Sequence, residues 1–405
     1  MSISQLAREI NESPTLALNE AARQLRERGE PVIHLGAGEP KSKVPIDAIL
    51  SCASKLKSGE VRYTPTEGIP SLIKAIVRYT EDNYDKVVGA HNVIVSAGAK
   101  QAIYNLMITL LNPQDEVIIV APYWVSYPEI VKMVYGIPVI VTPESGRFEP
   151  TMEDITQAVS SYTKAIVINS PNNPSGAIYS EELIGEIVEF CEAKGIYLIM
   201  DDIYHKLVFS NHSWTSIYKY VKKDIEDSRV IIVNGVSKSY AMTGFRIGWT
   251  VASRKVIEIM INVAAQNTSC PSVLLQYAAE GALNGIQSGI ENLRLTLENN
   301  AEVMLNELNS FTGIHTIAPK GTFYCFPDFS AYDKDSNKLS KFILDKARVV
   351  SVPGKQFGME GHLRLSFCGT IKDIREGVTR IKWALDPESP NEIYIGDRKL
   401  RRDWL

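Results

Sequence analysis

The chain has 405 residues, with 43 Lys and Arg against 47 Asp and Glu and a formal net charge of −4 at pH 7. This length supports a sizeable core and two domains, and the near balance of charge leaves no electrostatic footprint for nucleic acid or an anionic membrane. Five scattered cysteines without a C-x-x-C pair argue against a disulfide framework or a zinc site. The first residues lack a basic and apolar leader pattern, and no apolar run approaches membrane-spanning length, so a soluble cytoplasmic protein is expected.

Between about Asn92 and Ser253, six or seven short apolar runs alternate with helical patterns, a rhythm that predicts parallel strands joined by helices. The run Asn92 to Ser96 leads through Ala97-Gly98-Ala99-Lys100 into a helix with Ile103, Leu106, Met107 and Leu110 on one face. Glu116 to Val120 is followed by Ala121-Pro122-Tyr123-Trp124, and Lys164 to Ile168 by Asn169-Ser170-Pro171-Asn172-Asn173-Pro174-Ser175-Gly176. From Ser180 to Lys194 the helix signals are complete. Ser180 can cap, Glu181 and Glu182 suit the positive end, and Gly195 can take the left-handed conformation that stops it. Ile196 to Met200 then runs to Asp201, with Tyr204 three residues on, and Val230 to Val233 precedes Ser237-Lys238 and, eight residues later, Arg246.

From about Ser288 the texture changes. A long polar helical pattern, Glu291 to Phe311, leads into shorter strand-like pieces, Gly321 to Phe326 and Val349 to Val352, which read as a second, smaller domain. Arg364 stands between apolar neighbours in a strand-like run and needs an anion there. The tail from Asp386 to Leu405 carries no functional signal, so docking and disorder are both open.

All the reactive residues except Arg364 follow strand ends. In open α/β sheets ligands bind outside the carboxyl ends of the strands, so these residues should converge. A desolvated lysine there can form a Schiff base with an aldehyde cofactor. A serine, an arginine and the amides at a helix N-terminus would hold a phosphate, and a carboxylate would keep a pyridine nitrogen protonated. Each residue also has an ordinary reading: a solvated lysine for Lys238, a helix cap for Asp201, turn chemistry for Asn173 and an aromatic core residue for Trp124.

Taken in order, these motifs resemble those of the class I/II aminotransferases of pyridoxal-phosphate (PLP) fold type I, closest to the bacterial aspartate aminotransferase branch, from about Ser13 to Leu385. The resemblance implies an α/β fold with two domains. The large one, residues 46–287, would hold a mostly parallel seven-stranded sheet flanked by helices. The smaller α+β one would combine residues 1–45 with 288–385, leaving 386–405 as a tail. The cofactor implied is pyridoxal 5′-phosphate, carried by Lys238, which also shuttles the proton. Its ring nitrogen would face Asp201, its phenolic oxygen Tyr204 and Asn173, its ring Trp124, and its phosphate Ala99, Lys100, Ser237 and Arg246.

Tyr63 matches a tyrosine that reaches the phosphate across a homodimer interface. Gly38 and Arg364 match groups that hold the substrate α-carboxylate. Lys100, Ser13 and Thr15 match positions around a side-chain carboxylate. The amino donor implied is aspartate, with 2-oxoglutarate as acceptor and ping-pong kinetics. An aminotransferase for prephenate, aromatic or small neutral amino acids is the alternative, with a lyase of the same fold behind it. Some prephenate-active relatives carry lysine where this chain has Asn11. The family also implies cis peptide bonds before Pro122 and Pro174. Two departures stand out. Many relatives have Ser where this chain has Gly235, which removes one phosphate hydroxyl, and Lys41-Ser42-Lys43 replaces an acidic, Phe-containing stretch.

Overall fold

A computed structural model describes residues 3–10, 14–144, 147–395 and 398–404. Seven strands form one sheet in the order Val93–Ser96, Gly248–Val251, Val230–Gly235, Tyr197–Asp201, Thr163–Ile168, Glu116–Val120 and Ile137–Val141. Only Gly248–Val251 runs antiparallel to its neighbours. The five central strands, from Gly248–Val251 to Glu116–Val120, are almost wholly buried, as strands covered on both faces must be. One face packs against a cluster that includes Leu72, Ile76, Ile187 and Trp249, the other against Ile103, Leu106, Val131 and Met260. The helix after Ser96 therefore contributes the predicted face, with Ile103, Leu106, Met107 and Leu110 all buried.

Local signals explain the element ends. Helix Glu181–Lys194 starts on Ser180, whose side chain accepts from the Leu183 amide, and stops at Gly195 in the left-handed region, φ 69°. The strand after it extends one residue beyond the apolar run and includes Asp201. The strand leading to the lysine is likewise longer than expected, running to Gly235. The long polar helix spans Ser288–Asn309, whereas the strand-like pieces shrink to two-residue strands, Tyr324–Cys325, Val349–Val350 and Val352–Pro353. Cis peptide bonds precede Pro122 and Pro171; the expectation at Pro174 is corrected to Pro171, three residues earlier in the same loop.

A separate core collects Leu297, Met304, Phe323, Phe329, Ile343, Val349 and Ile381 from the C-terminal third. The N-terminal strand Ile33–His34 pairs in parallel with Val349–Val350, which brings the segment around Gly38 beside this core. The tail docks there too. Glu392–Ile395 and Arg398–Arg401 form a hairpin, and Trp404 packs edge-on against Trp383 at 5.3 Å and Phe342 at 5.8 Å. Its indole nitrogen donates to the Ala384 carbonyl at 3.3 Å. Because Trp404 is half-buried, Trp404→Ala should cost about 1.5–3 kcal/mol, roughly half the loss of a fully buried aromatic. The urea-unfolding midpoint checks this, and a midpoint unchanged from the parent chain would show that the tail contributes no stability.

Candidate active site

The six parallel strands end at one edge of the sheet, and the antiparallel strand Gly248–Val251 begins there. The loops at that edge surround a cavity of about 340 Å³, lined by Ala99, Lys100, Trp124, Asn173, Asp201, Tyr204, Ser237, Lys238 and Arg246, with Gly38 and Arg364 from the other side. These eleven residues were all expected at one site from the sequence.

Lys238 is half-buried and donates from Nζ to the Gly38 carbonyl at 2.6 Å. Burial, followed by the charges of Arg364 and Arg246, holds its amine down to about 8, against an opposing pull from Glu39. Asp201 lies opposite, 4% exposed. Burial pushes its carboxyl up to about 6, although the Tyr127 hydroxyl donates to it at 2.6 Å, the Ile203 amide at 3.3 Å, and Lys238 lies near.

Arg364 crosses from the strand Leu363–Ser366. Nη1 donates to Asn173 Oδ1 at 3.0 Å and Nη2 to the Gly36 carbonyl at 3.0 Å, while the buried Nε has no partner. The guanidinium is held between the rings of Tyr324 and Phe357, 4.3 and 5.1 Å from their centroids. A fork so placed presents its remaining N–H groups to a planar anion.

Gly98 and Arg246 explain each other. Gly98 has φ +87°, and a Cβ there would come 2.5 Å from Arg246 Nη2. The arginine, itself in the left-handed region at φ 53°, thus lies against the backbone that opens helix Ala99–Leu110. The Ala97 amide is used internally, donating to Gln101 Oε1 at 2.6 Å. Lys100 places Nζ 5.0 Å from the centroid of Trp124, and burial together with Arg246 lowers its proton affinity.

One expected residue does not reach this cavity within the chain. Tyr63 is 90% exposed and lines no part of it. Ser13 and the side chain of Thr15 lie outside the described residues, as does Asn11. Conversely, the sequence reading missed Tyr127, Asn169 and Tyr324. Tyr127 stands one helical turn after Trp124, a spacing that could have signalled it. Asn169 ties the site together, accepting from the Asn173 amide at 2.9 Å and donating to the Asp201 carbonyl at 2.8 Å. Lys41, in the atypical loop, pairs with Asp373 at 3.5 Å, and Glu39 accepts from the Thr243 hydroxyl at 2.9 Å.

An amine with reduced proton affinity, a buried carboxylate and two arginines facing one cavity, at the carboxyl edge of a doubly wound sheet, define an enzyme site for anionic small molecules. Comparison with known proteins identifies the class. The family model "Aminotransferase class I and II" matches residues 30–381, and the chain belongs to this family. It is 37% identical over 383 residues to the probable aspartate/prephenate aminotransferase of Aquifex aeolicus, covering 93% of this chain and 97% of that one. It is 36% identical over 387 residues to the aspartate aminotransferase of Geobacillus stearothermophilus, covering 94% and 98%. Among solved structures, the aspartate aminotransferase from Thermus thermophilus with maleate superposes with a TM-score of 0.90 at 32% identity, over 95% of this chain and 100% of that one. The fold is thus that of the type I aminotransferases.

Gly235, where many relatives are expected to carry serine, is confined by backbone. A Cβ would lie 2.8 Å from the Ile247 carbonyl and 3.0 Å from Gly248 Cα. Gly235→Ser should therefore destabilise by about 1–3 kcal/mol through overpacking. The thermal midpoint checks it, and a serine accommodated without loss would mean that the backbone of 247–248 yields.

Proposed function

We propose that this chain is a PLP-dependent aminotransferase that moves an amino group from aspartate to 2-oxoglutarate, as a cytoplasmic homodimer. The observation that carries the proposal is Lys238, an amine titrating near neutrality with Asp201 and Arg364 in the same cavity. The cofactor fits on the chemistry of the donor set. Arg246, Ser237 and the start of helix Ala99–Leu110 suit its phosphate, Asp201 its ring nitrogen, Tyr204 and Asn173 its phenolic oxygen, and Trp124 its ring face. Pyridoxal phosphate, when bound, supplies a carbonyl that accepts the amino group and a ring that accepts the electron pair freed at the substrate α-carbon.

The chain's residues supply the rest. Lys238, neutral for part of the time at pH 7–8, acts as nucleophile and then carries the proton to and from the substrate α-carbon. Asp201 is ionised above about pH 6, so its charge is available across the same range. Arg364, fixed by Asn173, Gly36 and two rings, grips the α-carboxylate, and Gly38 lines the other side of that subsite. Donor and acceptor bind the same groups in turn, which gives ping-pong kinetics. The large domain is assigned to 46–287 and the small one to 1–45 with 288–385.

Two features support the finer parts of this reading. Exposed apolar side chains at Ile46, Ile49, Leu50, Leu56 and Val61 lead to the exposed Tyr63, a surface that suits a two-fold partner and would carry Tyr63 to its phosphate. Lys100, a point cation over Trp124, suits a substrate's second carboxylate, with Ser13 and Thr15 assigned to the same group. Prephenate, a 2-oxo acid, also bears a second carboxylate, and the Aquifex relative's name includes it, so it is the alternative amino acceptor.

Borohydride reduction of the cofactor-loaded enzyme should label Lys238 alone, and Lys238→Ala should lose both the label and the visible absorbance. Label on a different lysine would remove the basis of the assignment. Lys100→Ser should weaken turnover of aspartate and glutamate by about 1–3 kcal/mol in kcat/KM, the range of a hydrogen bond to a charged group, with alanine affected much less. Equal losses for acidic and neutral amino acids would assign Lys100 to the phosphate instead.

A further inference from the structure

Behind the site lies a second carboxyl that the proposed reaction does not use. Asp202 follows Asp201 at the end of its strand, and successive residues there face opposite sides of the sheet. Its side chain is 0% exposed, and neither carboxyl oxygen has a hydrogen-bond partner. The hydroxyl of Tyr218 is buried and unpartnered as well, and faces it.

The groups around Asp202 come from four elements. Tyr79 and Tyr84 stand on helix Pro70–Tyr84, Tyr218 on the short helix Ile217–Lys219, and His205 and Trp214 on the intervening loop. Asn234, from the adjacent strand, donates to the Tyr84 hydroxyl at 2.8 Å. None supplies a positive charge. His205 is held neutral by burial and by Lys206, with one ring nitrogen 2.8 Å from the Asp202 carbonyl and the other 2.9 Å from the Tyr79 hydroxyl. Lys206 itself turns to Asn83 at the rim of an adjoining cavity of about 460 Å³. Tyr84 and Trp214 are the nearest donors and lower the carboxyl's proton affinity somewhat, without closing a hydrogen bond.

Two carboxylates on consecutive buried residues cannot both ionise cheaply, and hydrogen bonding decides between them. Asp201 accepts hydrogen bonds from a tyrosine hydroxyl and an amide and has an ammonium nearby, whereas Asp202 closes no hydrogen bond and has no ammonium beside it. The geometry points to Asp202 as a positioning residue, a carboxyl kept uncharged behind the sheet so that the pair's one negative charge resides on Asp201, inside the site. This inference rests on the role proposed for Asp201. The direction of the titration agrees: burial first, then Asp201, pushes Asp202 up to about 8, above its neighbour.

The sign follows from linkage. A carboxyl whose folded proton affinity is raised costs nothing well below the ordinary carboxylate range, at about pH 2, where it is protonated in both states. Stability is then lost as pH rises from the ordinary carboxylate range to about 8, and is flat beyond. Asp202→Asn, which mimics the neutral form, should lack this fall, so its thermal midpoint should gain on the parent's by a few degrees between pH 5 and 8. Infrared difference spectra at pH 7 should show one protonated-carboxyl band in the parent chain that Asp202→Asn lacks. Tyr84→Phe removes a group that lowers Asp202, and should raise the pH at which the band disappears. Parallel stability curves, or a pH 7 spectrum without that band, would overturn the proposal. In the cofactor-loaded enzyme the visible absorbance should inflect at the pH where the band is lost, and should not do so in Asp202→Asn. An absorbance unaffected in the parent would overturn the link to Asp201 while leaving the borohydride test of Lys238 to stand by itself.

Discussion

Concentrated positive charge governs this site. Lys238, Arg246 and Arg364 face one cavity, and burial first, then the two arginines, holds the lysine amine below its ordinary proton affinity. Among the described residues, the only carboxylate on the cavity wall is Asp201, which is itself buried and already occupied by a tyrosine hydroxyl and an amide. Such a set is electrostatically unfinished, because a buried charge needs a partner and, with Lys100, four cations share one. It is completed by anions from outside, and the placement sorts them. Arg246 lies against the glycine turn at a helix start, which suits a phosphate, whereas Arg364 offers a fork at the opposite wall, which suits a carboxylate. The lysine between them is where the two ligands would meet.

The sheet makes that concentration affordable to the fold. The charged groups that the large sheet contributes stand at or just beyond its carboxyl edge, and Arg364 reaches in from the strand Leu363–Ser366, while the strands below are sealed by aliphatic side chains on both faces. Rigid backbone supplies the precision: Gly98 and Gly248 leave no room for a Cβ, so the Arg246 segment and the turn at Ala99 lie in direct contact. Asn169 does the same with side-chain atoms, joining the loop that bears Asn173 to the end of the strand that bears Asp201. A shift of one loop therefore moves its neighbour, and the Arg364–Asn173 bond extends that coupling into the C-terminal core.

Much of this was legible because it is local. Strand ends, the Ser180 cap and the Gly195 stop are written within a few residues, and the reactive groups sit at fixed offsets from strand ends. What was not legible depends on residues far apart in the chain. Tyr324 and Phe357 flank Arg364 from separate strands and turns, and nothing in their local sequence distinguishes them from ordinary core aromatics. The two-residue strands near Val349 had to be overestimated, since apolar runs there reflect burial and not strand length. The docked tail was open for the same reason: Trp404 is anchored by Trp383 and Phe342, which no periodicity connects to it.

The adjacent pair Asp201-Asp202 shows where sequence patterns stop. By composition the two are identical, and either could cap the turn that follows. They part only in three dimensions, where alternation turns one toward Lys238 and a phenol donor, and the other into a dry cluster of tyrosines, a tryptophan and a neutral histidine. The same residue type thus becomes an anion on one side of the sheet and, by the inference drawn above, a neutral acid on the other. An electron-accepting ring held at Asp201 would depend on that asymmetry, because a negative charge shared between the pair would be partly withdrawn from the site. The identity of a functional carboxylate is in this respect set as much by the donors its neighbour lacks as by those it has.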